Sequence, residues 1–172
     1  METVALKPHS MRAWRRFDAE TRLRSHGRSL RTSILRIPGI YAPDRAEGTA
    51  VDRVRQGLPV LVAQDDVYTN HIHADDLARA CIAALWRGAP QRIYNVNDDT
   101  RLKMCDYYDL AADLAGLPRP PRLPRAELAQ HLSPMRMRFM AESRQMDNTR
   151  MKKELRLALR YPTVASGLKG KP

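Results

Sequence analysis

Cysteine is nearly missing from this sequence: Cys81 and Cys105 stand far apart, too few for a disulfide framework and without the paired spacing of a metal or redox motif. A reducing compartment, the cytoplasm, is therefore expected. The charged amino-terminal residues are followed by no apolar core of signal-peptide length, and no apolar run approaches the length of a membrane span. No Ser-centred nucleophile elbow occurs, and no glycine-rich loop that could cradle a phosphate. Internal repeats and low-complexity tracts are absent too. These absences set aside secreted mini-proteins, membrane spans, serine hydrolases of the elbow type and self-sufficient nucleotide-binding loops.

Basic charge is in excess, at +11 over 172 residues. Such an excess suggests nucleic acid only if it is concentrated on an ordered face. Residues 1–31 hold eight Lys or Arg against three acids, residues 32–118 nine against twelve, and residues 119–172 thirteen against four. The middle is mildly acidic and the excess lies in the flanks. Neither flank interleaves arginine with aromatics, and no zinc-finger or basic-zipper pattern appears, so a nucleic-acid-binding module is the weakest reading.

The chain is organised around Ser33–Arg45. Ser33 to Ile37 is a branched apolar run too short for a helix, closed by Pro38-Gly39, which reads as a buried parallel strand with its exit turn. The carboxyl edge of such a strand is where open α/β sheets bind ligands. Before it, Met1 to Ser10 reads as an extended lead-in with a helix cap at Ser10. Met11 to Ser25 follows as a surface helix carrying Trp14, Phe17 and Leu23, with Gly27 as its stop.

After it, residues 46–56 have weak helical character, Val60-Leu61-Val62 is a short apolar run, and Gln64 to Tyr68 is a polar connection. Thr69 to Asp76 reads as the opening of an amphipathic helix through Leu77, Ala80, Cys81, Ala84 and Leu85, with Asp75 and Asp76 complementing its dipole. Gly88-Ala89-Pro90 ends that helix and Arg92 to Asn97 reads as a strand. Strand, helix, strand is a crossover unit, which places Ser33–Ile37 and Arg92–Val96 parallel and adjacent. Met104 to Ala115 is a further helix closed by Gly116. From Arg119 a stiff Pro-rich connection leads to short helical patterns at 125–132, 134–143 and 149–159, then a polar tail. The expected division is an α/β portion at 1–118 and a basic helical region at 119–172.

His71-Ile72-His73-Ala74-Asp75-Asp76 approaches the His-x-His-x-Asp-His signature of two-metal hydrolases, but its last His is Asp. His131 is the only later histidine, so no metal site is expected.

Three blocks, Leu35 to Pro43, Asn70 to Ala78 and Ile93 to Val96, resemble in order and spacing the carboxyl-terminal half of NAD-dependent epimerase/dehydratase-like proteins of the extended and atypical short-chain dehydrogenase/reductases. The resemblance implies half of a Rossmann-like parallel-sheet fold with a small helical substrate-side region. It further implies NAD or NADP passing beside Pro38, Gly39 and Ile40, and a small-molecule or nucleotide-linked substrate near Tyr41, Asn70 and His71. The family's glycine-rich fingerprint has no counterpart here, so the chain looks like half of a longer product or a truncated reading frame. The family's catalytic Tyr-x-x-x-Lys, anchored on Glu20, falls on Arg12 and Arg16. Arginine can hold a ligand but does not exchange protons near neutral pH. The resemblance thus leaves two functions open, an oxidoreductase or epimerase inactive as it stands and a non-catalytic nucleotide-binding regulator or scaffold. Strands lacking their usual sheet neighbours are expected to favour self-association.

Overall fold

A computed structural model of the chain describes residues 2, 8, 10–27, 29–45 and 48–169. In chain order the elements are α1 (Met11–Ser25), β1 (Ser33–Arg36), β2 (Gly39–Tyr41), α2 (Ala50–Arg55), β3 (Val60–Leu61), β4 (Tyr68–Thr69), β5 (His71–His73) and α3 (Ala74–Arg87). There follow β6 (Arg92–Asn95), β7 (Leu102–Lys103), α4 (Met104–Ala115), β8 (Arg122–Leu123), α5 (Arg125–His131), α6 (Pro134–Phe139), α7 (Thr149–Glu154) and α8 (Val164–Leu168). Among the described residues no helix is long and apolar enough to cross a membrane.

The expected crossover is present. β1 and β6 pair in parallel, Ser33 opposite Arg92 through Arg36 opposite Asn95, and α3 lies between them in the chain. β2 and β5 form a second parallel pair, Gly39 opposite His71 through Tyr41 opposite His73. β3 pairs in parallel with β8, and β4 antiparallel with β7. Helices and parallel pairs together make an α/β fold of the Rossmann-like kind.

Local chemistry explains the best-defined boundaries. Ser10 Oγ accepts from the amide of Ala13, so α1 begins where its cap is satisfied. Thr49 and Asp52 form a reciprocal capping box at the start of α2. Gly116, with φ of 65°, closes α4 in the left-handed conformation that glycine adopts most cheaply.

Several expectations need correction. The Pro38-Gly39 exit turn is an extended continuation: Gly39 starts β2, and its φ is not in the left-handed region. Residues 71–73 do not open a helix. They form β5, fully buried, because parallel pairing with β2 takes their backbone groups before α3 can. His73 then serves as the α3 cap, its Nδ1 accepting the amide of Asp75 at 3.2 Å. The Arg92 strand stops at Asn95, the Pro-rich connection contains β8, and the polar tail contains α8, whose Val164 is buried. Helix α2 occupies 50–55 of the expected 46–56, and residues 46–47 lie outside the described residues, as does most of the Met1–Ser10 lead-in.

Two apolar clusters hold the fold. One gathers Tyr41, Val54, Val60, Leu61, Tyr107 and Tyr108 with Leu128, Met140 and Val164. The other gathers Ile72, Ala80, Tyr94 and Val96 with Met151, Leu155 and Leu157. Each takes members from both 1–118 and 119–172.

Asp76 links these regions. The sequence offers it as a dipole-complementing acid, yet it is wholly buried. Its carboxylate accepts the amides of Arg160 at 2.9 Å and Tyr161 at 2.8 Å and a guanidinium hydrogen of Arg79 at 2.7 Å.

Candidate cofactor and substrate edge

The site is best built from the carboxyl end of β1. Arg36 there makes a forked ion pair with Glu20 of α1, the shorter contact 2.7 Å, with only about one fifth of each side chain exposed. No residue of α1 is itself buried, so this pair is a principal tether of the helix. One and two turns before Glu20 lie Arg16 and Arg12, both exposed. The ion pair thus holds α1 at Glu20 against the end of β1, with Arg12 and Arg16 on the same helix.

Arg16 in turn acts on Arg144: burial, followed by the Arg16 charge, lowers the pKa of the Arg144 guanidinium. Glu142 pairs with Arg144. The Arg144 carbonyl accepts from Asn70 Nδ2 at 2.8 Å, and Asn70 Oδ1 accepts the amide of Met146 at 2.8 Å. The Asn70 carbonyl accepts the amide of Gly39 at 3.2 Å. A continuous set of hydrogen bonds therefore joins Gly39, Asn70 and the 144–146 backbone, and the Arg16 charge is felt at Arg144. Ile37 and Ile40 flank Gly39 with roughly two fifths of their surface open, an apolar lip on a polar edge. A Cβ added at Gly39 would stand 3.2 Å from His71 Cδ2, so this backbone runs close over the ring below it.

Tyr41 and His71 lie inward of that edge. Both are buried, Tyr41 donating to the Thr163 carbonyl at 3.3 Å and His71 packing over Tyr107 with ring centres 4.0 Å apart. Burial pushes the His71 pKa down to about 4, which keeps the ring neutral near pH 7, and its Nδ1 has no partner. Asp98 lies in the same buried group. Burial pushes its carboxyl up to about 6 against the opposing hydrogen bond from the Thr100 amide, and its Oδ2 is unpartnered. Burial, then the Asp98 charge, pushes the Tyr41 hydroxyl far above its ordinary value. Neither Tyr41 nor Tyr107 is thus an available acid or base near neutral pH.

His73 stacks on Tyr161 at 3.8 Å. Among the described residues no group of three His, Cys, Asp or Glu could hold a metal ion. Cys105 donates to the Leu61 carbonyl, and burial pushes its thiol up to about 12, so it is no nucleophile.

Sequence reasoning missed Arg144, Met146 and Asp98. Arg144 and Met146 meet Asn70 across more than seventy residues, and no local spacing signals that contact. Asp98 does have a signal, since it lies in the polar group Asn97-Asp98-Asp99-Thr100 that follows β6.

No protein-family model and no curated protein matches the sequence. Among solved structures, a conserved protein of unknown function from Silicibacter pomeroyi is similar at TM-score 0.83 and 30% identity, covering 98% of this chain and 57% of that one. UDP-glucose 4-epimerase from Thermotoga maritima, solved with UDP-glucose, is similar at TM-score 0.76 and 18% identity, covering 98% and 54%. dTDP-glucose 4,6-dehydratase from Bacillus anthracis, in complex with NAD, is similar at TM-score 0.74 and 16% identity, covering 98% and 53%. The chain spans little more than half the length of each. It has the fold found in that part of the sugar-nucleotide epimerases and dehydratases.

Proposed function

We propose that the chain is the carboxyl-terminal, substrate-side half of an NAD(P)-dependent protein of the epimerase/dehydratase type within the short-chain dehydrogenase/reductases, acting on a nucleotide-linked or other small-molecule substrate. The observation that carries the reading is the arrangement at the end of β1, where exposed Ile37, Gly39 and Ile40 stand beside Asn70, which holds the Arg144 backbone, and where Glu20 of the helix bearing Arg16 pairs with Arg36.

The residues fit one end of a dinucleotide. A nicotinamide ring, which would supply hydride chemistry, would lie on the apolar lip of Pro38, Gly39 and Ile40, with Tyr41 and His71 as the packed floor and Asn70 fixing the substrate-side segment 144–146. They do not fit the pyrophosphate. The glycines with left-handed backbone among the described residues, Gly48, Gly57 and Gly116, stand singly at helix ends and are not clustered in a glycine-rich turn. In this reading the half bearing that turn is supplied from outside the given residues, and the open edge beside Ile37 and Ile40 is where it, or a second copy of the chain, would seat.

Arg12 and Arg16 at the positions of the family's Tyr and Lys favour a second reading. In it the chain is part of a nucleotide-binding regulator that holds a ligand without proton transfer. Titration of NADH and NADPH fluorescence separates the cases, with this chain alone, with the chain extended upstream, and with that extended form carrying Arg12→Tyr and Arg16→Lys. The reading expects weak binding to the short chain, tighter binding to the extended one, and hydride transfer only after the two replacements. Tight binding with turnover by the short chain would overturn it.

A further inference from the structure

Away from that edge, Arg45, Arg53, Arg55 and Arg136 line an open cleft of about 650 Å³ together with Gly48, Asp52 and Gln56. Three separate elements supply the arginines: the segment after β2, helix α2 and helix α6. Among the described residues Asp52 is the one carboxylate in this lining, and it is already engaged. Its Oδ2 accepts the Thr49 amide at 3.1 Å in the capping box and its Oδ1 accepts from Arg55 at 3.3 Å.

The other guanidiniums are differently placed. Arg53 lies over the Tyr108 ring, its central carbon 4.9 Å from the ring centre, and its Nη2 is buried without a hydrogen-bond partner. Arg136, from α6, lines the same cleft, and its charge and that of Arg53 oppose the burial that raises the Tyr108 hydroxyl pKa. Among the described residues no carboxylate pairs with either. Arg45 spends one nitrogen on the Ile40 carbonyl at 3.3 Å. A buried N–H without a partner costs free energy, and like charges held together repel. An oxyanion in the cleft would offset the mutual repulsion of the arginines that line it. Guanidinium forks match phosphate oxygens two at a time, and a stacked arginine is already oriented for it.

We propose that this cleft is a binding site for a small phosphorylated molecule carrying at least two negative charges, centred on Arg53 and Arg136. The site is separate from the cofactor edge and does not depend on the function proposed for that edge.

Inorganic pyrophosphate is the probe, titrated calorimetrically into the full 172-residue chain at low and at near-physiological salt. Arg53→Gln with Arg136→Gln is compared with Arg15→Gln and Arg24→Gln, which removes the same charge from exposed positions on α1. Loss of two charge-assisted contacts should weaken binding about tenfold or more in the first pair and change it less than about twofold in the second. Arg136→Gln alone, at an exposed residue, should weaken it severalfold and serves if Arg53→Gln unfolds. Equal weakening in both pairs would reduce the effect to the net basic charge and overturn the site. So would saturation by a single-stranded oligonucleotide, sensitive to the Arg53 and Arg136 changes, under conditions where pyrophosphate does not bind.

Discussion

Replacing Asp76 by alanine tests the packing scheme most directly. The carboxylate is entirely buried and receives two backbone amides, from Arg160 and Tyr161, besides Arg79. Removing it leaves two amides without acceptors. Each such orphan costs about 1–3 kcal/mol, and Arg79, about one third exposed, recovers part of its loss from water. The total is about 3–5 kcal/mol, in the range for breaking a buried charged network. For a chain of this size that is a fall of about 10 °C or more in Tm. Asp75→Ala provides the comparison. Its side chain is 55% exposed and its carboxylate lies 4.0 Å from His73 Nδ1, so about 1 kcal/mol or less should be lost. Thermal unfolding followed by circular dichroism measures both. Equal, small losses would refute the assignment of Asp76 as the anchor of the 160–161 segment.

Gly167→Ala should cost about 2–3 kcal/mol in urea unfolding, because the new Cβ would stand 2.3 Å from the Tyr41 hydroxyl. Gly57→Ala meets no atom but has φ of 65°, so a loss of about 1 kcal/mol is expected there. Asp98 and His71 oppose each other in pH dependence. The raised Asp98 pKa takes stability away as pH climbs from about 4 to about 6, whereas the lowered His71 pKa takes it away as pH falls from about 6.5 to about 4. Asp98→Asn leaves only the second effect, so unfolding measured from pH 4 to 6.5 should show stability rising with pH more steeply than in the parent; an unchanged slope would contradict the burial of Asp98. Glu20→Ala should release α1, read as lost hydrogen-exchange protection of Met11–Ser25 with β6 unaffected.

The sequence carries α4 to its exact limits, because Met104 to Ala115 has a clear apolar period and a glycine stop. It also carries the β1, α3, β6 crossover, whose strands centre on the apolar pairs Ile34-Leu35 and Ile93-Tyr94. It does not carry β3, β4, β7 and β8, two residues each, which exist only because distant partners pair with them. His71 to His73 read as helix because the following helix is strongly periodic, and tertiary pairing with β2 overrides that local pattern. At the candidate site, Gly39 and Asn70 are visible as a strand end and a junction. Arg144 is not, since its place depends on a hydrogen bond spanning seventy-four residues.

The three parallel pairings also set a timetable. Ser33 must find Arg92, Gly39 must find His71, and Val60 must find Arg122, each across a long intervening loop. Closing such loops is an entropic debt that no local contact offsets, so folding should be governed by topology, with α3 and α4 forming early as local helices and the strands joining late. Until they do, the apolar run at Ser33–Ile37 is unpaired, and that interval, more than the finished fold, is when this chain is open to misassociation.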